Sequence, residues 1–233
     1  MRFPAHLKDV PWEPPPRMMK VYSPPDVPLS VLHRDDDLLL VDKPSGLLSV
    51  PGKPETHRDC LESRVRAEFA GALQVHRLDL ETSGVMVFAL NPAAQRHVNL
   101  QFERRVVRKT YMARVAGQVA GDEGEIDLPL IADWPRRPMQ KVCFDTGKPA
   151  RTFWRVLGRE AGVTRLELKP ETGRSHQLRV HLMEIGHPIL GDPFYAPDDV
   201  FEAAGRLQLH AETLVLRHPA DGTWLEVTAA CPF

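Results

Sequence analysis

HRLDLETSGVMVFAL, at residues 76–90, joins a polar turn to an unbroken apolar run. The apolar run 85–90 has the length and composition of a buried strand, and the Thr-Ser-Gly before it is typical of a turn. Asp79 therefore stands at the edge of a predicted sheet, between an arginine and two hydroxyl side chains. Such a carboxylate either caps the turn or is placed for chemistry.

Four more segments accompany this one along the chain. They are KPSGLL at 43–48, KTYMARV at 109–115, GRSHQLRVH at 173–181 and GHPILGD at 186–192. The series resembles the RluA-type pseudouridine synthases, whose signature His-Arg-Leu-Asp-x-x-Thr-Ser-Gly contains the catalytic aspartate. The resemblance spans about residues 33–230, which makes it far more specific than a lone motif. It implies an RNA-modifying isomerase and decides the role of Asp79 in favour of chemistry.

The predicted elements define an α+β fold with a mainly antiparallel sheet. Helices are predicted at 59–69, 92–104 and 175–185, with Asp59 as the N-cap of the first and Asn91-Pro92 opening the second. Strands are predicted at 37–42, 73–76, 85–90, 110–115, 125–128, 141–144, 152–157, 164–168, 209–216 and 224–228. The resemblance implies the pseudouridine synthase fold, which is a long mixed sheet with flanking helices and a central catalytic cleft.

Composition indicates an ordinary globular protein with a short N-terminal extension. Residues 1–28 are rich in proline and predict an extended arm, and the resemblance implies that residues 29–233 form the catalytic domain. Hydrophobic residues make up 42% of the chain and charged residues 26%, without an apolar run long enough for a membrane span or a signal peptide. Three widely separated cysteines argue against disulfides and zinc, and favour the cytoplasm. A monomer is expected.

The reaction that the resemblance implies needs a carboxylate and no cofactor. The N1–C1′ bond of uridine breaks, the uracil turns, and C5 joins C1′, without any change in redox state. Positive character develops at C1′ as the bond breaks, and a nearby carboxylate stabilises it. Asp79 is the candidate, and the sequence leaves open whether it attacks C1′ or removes the C2′ proton.

Two further residues complete the predicted catalytic set. The resemblance selects Arg179 as the ion-pair partner of Asp79, because a guanidinium keeps a partly buried carboxylate charged. It also selects Tyr111, whose ring is expected to stack on the uracil once the nucleotide leaves its helix.

RNA contacts are predicted from basic residues around these motifs. The chain's net charge of −1 argues against a nucleic-acid partner, but a neutral total can hide a basic cleft. Arg77 is expected to point away from Asp79 and to occupy the space that the flipped base leaves in the RNA. Arg174 is expected to contact phosphate. The predicted RNA-binding set is Arg77, His76, Arg174, Arg108 and Lys109.

The histidines do not predict a metal site. His176 and His181 are five residues apart, which separates them by about 140° on a helix, whereas zinc pairs favour a spacing of four. His76, His176, His181 and His187 are instead expected to donate or accept hydrogen bonds around the site.

The expected partner is structured RNA. Residues 128–135, 140–143 and 146–150 resemble compact family members that modify both tRNA and large-subunit rRNA, although Ala132 stands where those members have a cysteine. This implies the anticodon stem-loop of tRNA, at position 32, and a stem-loop of 23S rRNA, at position 746. Three alternatives remain: another RNA target, a catalytically silent RNA-binding module, or a hydrolase. A glycosidase would need a second carboxylate, for which Glu81 is the near candidate.

Overall fold

The fold was analysed in a computed structural model that describes residues 21–233. Its strands are β1 Ser30–Arg34, β2 Leu38–Lys43, β3 Leu73–Gln74, β4 Ser83–Ala89, β5 Arg108–Ala116, β6 Glu123–Asp127, β7 Leu130–Ala132, β8 Gln140–Val142, β9 Arg151–Glu160, β10 Val163–Pro170, β11 Leu209–Arg217 and β12 Trp224–Thr228. Its α-helices are α1 Leu61–Glu68, α2 Pro92–Glu103, α3 Gln177–Glu184 and α4 Asp198–Glu202. Two short 3-10 turns occur at Glu55–His57 and Trp134–Arg136.

Ten of these strands form one long sheet in the order β1-β2-β4-β11-β5-β10-β9-β6, with β3 added to β4 and β12 to β11. The β4–β11 pair is parallel, and the other described pairs are antiparallel. Gly84 makes that central pair possible, because its φ is +117° and a Cβ there would lie 2.1 Å from the carbonyl oxygen of Ala211. The predicted α+β class and the mixed, mainly antiparallel sheet are therefore confirmed.

The centre of the sheet is covered by helices on both faces. Alternate residues of β2 point to opposite sides, so Leu38 and Leu40 pack with Val98 of α2, while Leu39 and Val41 pack with Val65 of α1. Burial on both faces explains why β4 is continuously apolar from Val85 to Ala89 rather than alternating. A third cluster packs α3 against β5 and β10.

Most predicted elements are found, with differences at helix ends and in short segments. The predicted cap of α2 is confirmed, since Asn91 Oδ1 accepts a hydrogen bond from Ala94 N at 2.8 Å. The predicted cap of α1 is wrong. Cys60 occupies that position, and Asp59 forms two hydrogen bonds to Arg64, both of 2.8 Å. β1, β7 and α4, which contain five, three and five residues, were not predicted.

Residues 21–28 of the predicted arm contain no helix or strand, and the rest of that arm lies outside the described residues. The described part lies against α1 and the loop before it. Tyr22 Oη donates to Asp59 O at 2.8 Å, and Arg64 Nη1 donates to Pro25 O at 2.9 Å. None of the helices in residues 21–233 has the length and apolar composition that a membrane span requires.

Candidate active site

Asp79 lies on the turn between β3 and β4, and this turn is tied to the loop after β2. The carbonyl of Asp79 accepts a hydrogen bond from Thr82 N at 3.2 Å. Ser45 Oγ donates to the carbonyl of Glu81 at 2.7 Å. The two loops therefore support each other where β2 and β4 begin to diverge, and the carboxylate of Asp79 is directed from a fixed backbone.

Lys43 links the two loops through hydrogen bonds in the protein interior. Its side chain is fully buried, and Nζ donates to the carbonyls of Pro44, Leu47 and Leu80 at 2.9, 2.7 and 3.0 Å. Burial lowers the pKa of Lys43 to about 7. The three carbonyls satisfy all three donors of the ammonium group, so the KPSGLL segment acts as a support for the Asp79 turn.

Arg179 projects from α3 and forms a buried, bidentate ion pair with Asp192. Its Nε and Nη2 donate to the two carboxylate oxygens at 2.7 and 2.6 Å, and the side chains are 2% and 0% exposed. Although burial acts in the opposite direction, the Asp192 carboxylate raises the pKa of Arg179 above its ordinary value. Asp192 Oδ1 also accepts from the amides of Phe194 and Tyr195, which fixes the pair in the loop after α3.

The third nitrogen of the same guanidinium faces Asp79. Arg179 Nη1 lies 3.6 Å from Asp79 Oδ2, and the Asp79 side chain remains 32% exposed. Asp79, Tyr111, Arg179 and Leu209 line a cavity of about 110 Å³ at the middle of the sheet. The predicted catalytic residues therefore meet at one cleft, where the Asp79 side chain is partly exposed to the cavity.

Tyr111 forms a wall of this cavity. It lies on β5 between Leu168 of β10 and Ala211 of β11. Burial, and then the charge of Asp79, raise the pKa of Tyr111. The phenol is therefore protonated at neutral pH, and its ring presents an aromatic face to whatever enters the cavity.

His176 lies beside Asp79, and Tyr195 contacts His176. His176 Nε2 lies 4.0 Å from Asp79 Oδ2, and its Nδ1 lies 2.7 Å from Tyr195 Oη. His176 adopts a left-handed conformation with φ 54° at the N-terminus of α3, which is rare for a residue other than glycine. Burial, and then the nearby Arg179, lower the pKa of His176 to about 4, so the imidazole is neutral at pH 7.

Sequence reasoning missed Asp192 and Tyr195. Asp192 ends the GHPILGD segment, so the motif offered a signal, but its partner lies 13 residues earlier on another element. Tyr195 lies three residues beyond that motif, and its aromatic character alone does not separate it from a core residue.

Arg77 lines the same cavity as Asp79, so the prediction that it points away from Asp79 is wrong. Leu78 between them is buried, while Arg77 is exposed. The reason is the period of two in an extended segment, which places residues i and i+2 on the same side. Arg77 consequently stands at the mouth of the cavity.

The other predicted RNA-binding residues lie in different surroundings. Lys109 and Arg174 line the cavity. Arg108 lies outside it, with its guanidinium 4.7 Å from the ring centroid of Trp224. His76 is enclosed, since its Nε2 accepts from Val87 N at 3.1 Å and its ring stacks on Phe102. Burial, and then the nearby Lys109, lower the pKa of His76 to about 3, so this ring is neutral as well.

The other two histidines that were predicted to form hydrogen bonds, His181 and His187, lie within hydrogen-bond distance of oxygen atoms of the protein. His181 lies between Thr152 Oγ1 and the carbonyl of Leu128, both at 3.0 Å. His187 Nδ1 lies 2.8 Å from the carbonyl of Ala116. Across the described residues, no group of three or more His, Cys, Asp or Glu side chains is arranged to hold a metal ion.

A partly exposed carboxylate therefore lies beside a buried arginine and a tyrosine at one cleft. The comparisons with known proteins agree. The sequence model of the RNA pseudouridylate synthase family matches residues 37–184. The chain is 52% identical over 217 residues to the "Dual-specificity RNA pseudouridine synthase RluA" of Escherichia coli strain K12, covering 92% of this chain and 99% of that protein. It is 53% identical over 206 residues to the protein of the same name from Salmonella typhi, covering 88% and 94%.

Solved structures give the same result. The structure of human RNA pseudouridylate synthase domain containing 1 is similar with a TM-score of 0.74 and 32% identity, over 88% of this chain and 84% of that one. Human RNA pseudouridylate synthase domain containing 4 is similar with a TM-score of 0.71 and 27% identity, over 87% and 88%. The chain belongs to the RNA pseudouridylate synthase family, and it is an isomerase that acts on RNA.

Proposed function

We propose that this protein converts uridine to pseudouridine in two RNAs, at position 32 of tRNA and position 746 of 23S rRNA. Relatives more than 50% identical over most of the chain carry a name that states dual specificity. The segments that resemble such members form β7, β8 and their connections, which pack with Val180 of α3 and Tyr195. This small sheet therefore packs beside α3 and Tyr195, and in the proposal it contacts the RNA around the target. We further propose residues 29–233 as the catalytic domain, a monomer, and the cytoplasm as its compartment.

The proposal rests first on the position of Asp79. Its carboxylate faces the cavity at 3.6 Å from a guanidinium that Asp192 already holds. In the proposed reaction this carboxylate stabilises the positive character at C1′ while the glycosidic bond breaks. It either adds to C1′ or removes the C2′ proton, and a deuterium label at C2′ distinguishes the two, because only proton removal gives a primary isotope effect.

Arg179 and Tyr111 complete the proposed catalytic set. Arg179 provides the opposite charge beside Asp79 and lies next to one of its oxygens, which leaves the other oxygen for the substrate. Tyr111 stacks on the uracil and restricts it to turning in its own plane, so that C5 replaces N1 at C1′. Neither step requires an electron or group carrier, so the proposed enzyme needs no cofactor.

RNA binding is proposed for the basic residues around the cavity. Arg77, which lines the cavity, would enter the space that the flipped base leaves, and Lys109 and Arg174, which also line it, would contact the RNA backbone. Arg108 and Trp224 form an outer contact. His76, enclosed against Phe102, supports this surface from below rather than touching the RNA.

The test is tritium release from uridine labelled at C5, since every isomerised uridine loses that hydrogen. The substrates are a tRNA anticodon stem-loop and the 23S rRNA stem-loop, each with a matched control in which the target uridine is cytidine. Release of one equivalent from each uridine-containing RNA and none from the controls is expected. Release from one RNA alone would overturn dual specificity, and release from neither would overturn both targets.

A further inference from the structure

A second cavity, of about 330 Å³, adjoins the catalytic one. The two share the walls formed by Lys109, Thr172, Gly173 and Arg174. Phe102, Glu103, Arg105, Val107 and Glu171 complete the second cavity. An RNA strand whose flipped base enters the first cavity would therefore have its sugar-phosphate backbone at the second cavity.

Lys109 stands at the junction of the two cavities without a counterion. Its side chain is half-buried, and no hydrogen bond or ion pair to another residue of the range 21–233 is found for Nζ. Burial, and then the nearby Arg105, lower its pKa. A Cβ on Gly173 would lie 3.7 Å from Nζ, so the ammonium lies close over the Gly173 backbone. A partly desolvated cation of this kind is stabilised by an anion that enters from outside.

Arg105 can bind an incoming anion together with Lys109 at little cost in free energy. Its guanidinium pairs with Glu171 at 2.9 Å, but the two side chains are 51% and 39% exposed, and such surface pairs are weak. Glu171 also lies 3.9 Å from Arg151, so it keeps a cationic neighbour if Arg105 leaves. Arg105 itself has φ 59°, an unusual conformation that turns the chain sharply between α2 and β5.

We propose that the second cavity binds a backbone phosphate of the RNA strand that carries the target uridine, with Lys109 as its central ligand and Arg105 and Arg174 beside it. This inference rests on the proposed function. A phosphodiester fits because it is the anion nearest to a flipped nucleoside, and because the three cations outnumber the two carboxylates, Glu103 and Glu171, in the cavity wall. Arg105 exchanges Glu171 for the phosphate when RNA binds.

The first experiment compares Lys109→Gln and Arg105→Gln with wild type, using the tRNA stem-loop. We expect KM to rise about tenfold for Lys109→Gln and less for Arg105→Gln, with kcat within twofold, because a phosphate contact acts equally on ground and transition states. The slope of log K against log salt should become shallower by about 0.7 to 0.9 for Lys109→Gln. Lys53→Gln, at an exposed lysine outside both cavities, is the matched control and should leave both quantities unchanged. Unchanged KM and salt slope for Lys109→Gln would overturn the inference.

The second experiment identifies the phosphate. A series of stem-loops carries one neutral methylphosphonate each, at successive positions around the target uridine. One position should weaken wild-type binding about tenfold and have no further effect on Lys109→Gln. Equal, additive losses at every position would overturn a dedicated subsite. If the proposed RNA targets are wrong, wild type itself is inactive on the unmodified stem-loops, which separates that failure from failure of this inference.

Discussion

Two arginine–carboxylate pairs of almost equal length have very different surroundings in this protein. Arg179 and Asp192 lie 2.6 Å apart with side chains 2% and 0% exposed, whereas Arg58 and Glu55 lie 2.9 Å apart with 69% and 82% exposed. Water screens the surface pair, so it contributes little to stability. In the buried pair each charge depends on the other, because neither has water to replace its partner. Contact distance alone therefore does not indicate how much an ion pair matters.

The buried pair also explains how Arg179 can serve Asp79. Asp192 takes two nitrogens of the guanidinium at hydrogen-bond distance, while Asp79 lies 3.6 Å from the third. The rigid pair fixes the direction of that third nitrogen. The looser contact leaves the Asp79 carboxylate open to the cavity.

The largest expected effect on stability is that of Asp192→Asn. This change removes the carboxylate that binds two nitrogens of the buried guanidinium and leaves only the more distant Asp79, so the free energy of unfolding should fall by about 3–5 kcal/mol. Urea denaturation measures it. A fall of less than about 1 kcal/mol would show that the buried pair behaves like the surface pair.

A somewhat smaller effect is expected from the protonation of His176. The unfolded chain titrates His176 near pH 6.5, whereas its pKa in the folded protein is about 4. Between these values the unfolded state binds the extra proton, so the free energy of unfolding falls as the pH drops through this window. For His176 alone the loss is about 3 kcal/mol.

Urea denaturation at pH 7 and pH 4.5 measures this loss, and His176→Gln should reduce it. His57→Gln, at a histidine of the outer 3-10 turn, is the matched control. An equal acid sensitivity of wild type and His176→Gln would contradict the assignment.

Substitutions of Tyr111 should separate the contribution of its ring to activity from that of its hydroxyl. Tyr111→Ala removes the stacking surface, and kcat/KM should fall by about 10- to 100-fold, which corresponds to 1–3 kcal/mol for base stacking. Tyr111→Phe keeps the ring and should stay within about fivefold of wild type. Steady-state tritium release measures both. A loss for Tyr111→Phe as large as that for Tyr111→Ala would assign the main role to the hydroxyl.

The smallest effect belongs to the surface pair. Glu55→Gln should change the free energy of unfolding by less than about 0.5 kcal/mol, because both charges are solvated with or without the contact. The same urea experiment measures it, beside Asp192→Asn. A loss of 2 kcal/mol or more would remove the contrast between the two pairs.

Local features were predictable from the sequence, and long-range ones were not. The Asn91 cap and the apolar strand β4 follow from neighbouring residues, and both are found. The predicted Asp59 cap is wrong because Arg64, a side chain further along the chain, binds the Asp59 carboxylate. The predicted direction of Arg77 was wrong because residues two apart in an extended segment face the same side.

In the site, too, contacts between residues distant in sequence were not predictable. The motifs named Asp79, Tyr111 and Arg179 because they match a family pattern, and the fold places them at one cavity. The pairing of Arg179 with Asp192, and the support from His176 and Tyr195, depend on how the loop after α3 folds back over the sheet. Residue spacing gives no measure of such a contact.

The most direct test of the account compares Asp79→Asn with Glu81→Gln, a carboxylate two residues away, in the tritium-release assay on both stem-loops. Asp79→Asn should reduce kcat by at least about 10³-fold while RNA binding stays within about threefold, because the amide keeps the shape and loses the charge. Glu81→Gln should retain nearly full activity. Substantial tritium release by Asp79→Asn, with the change verified by mass spectrometry, would contradict the central role of the Asp79 carboxylate.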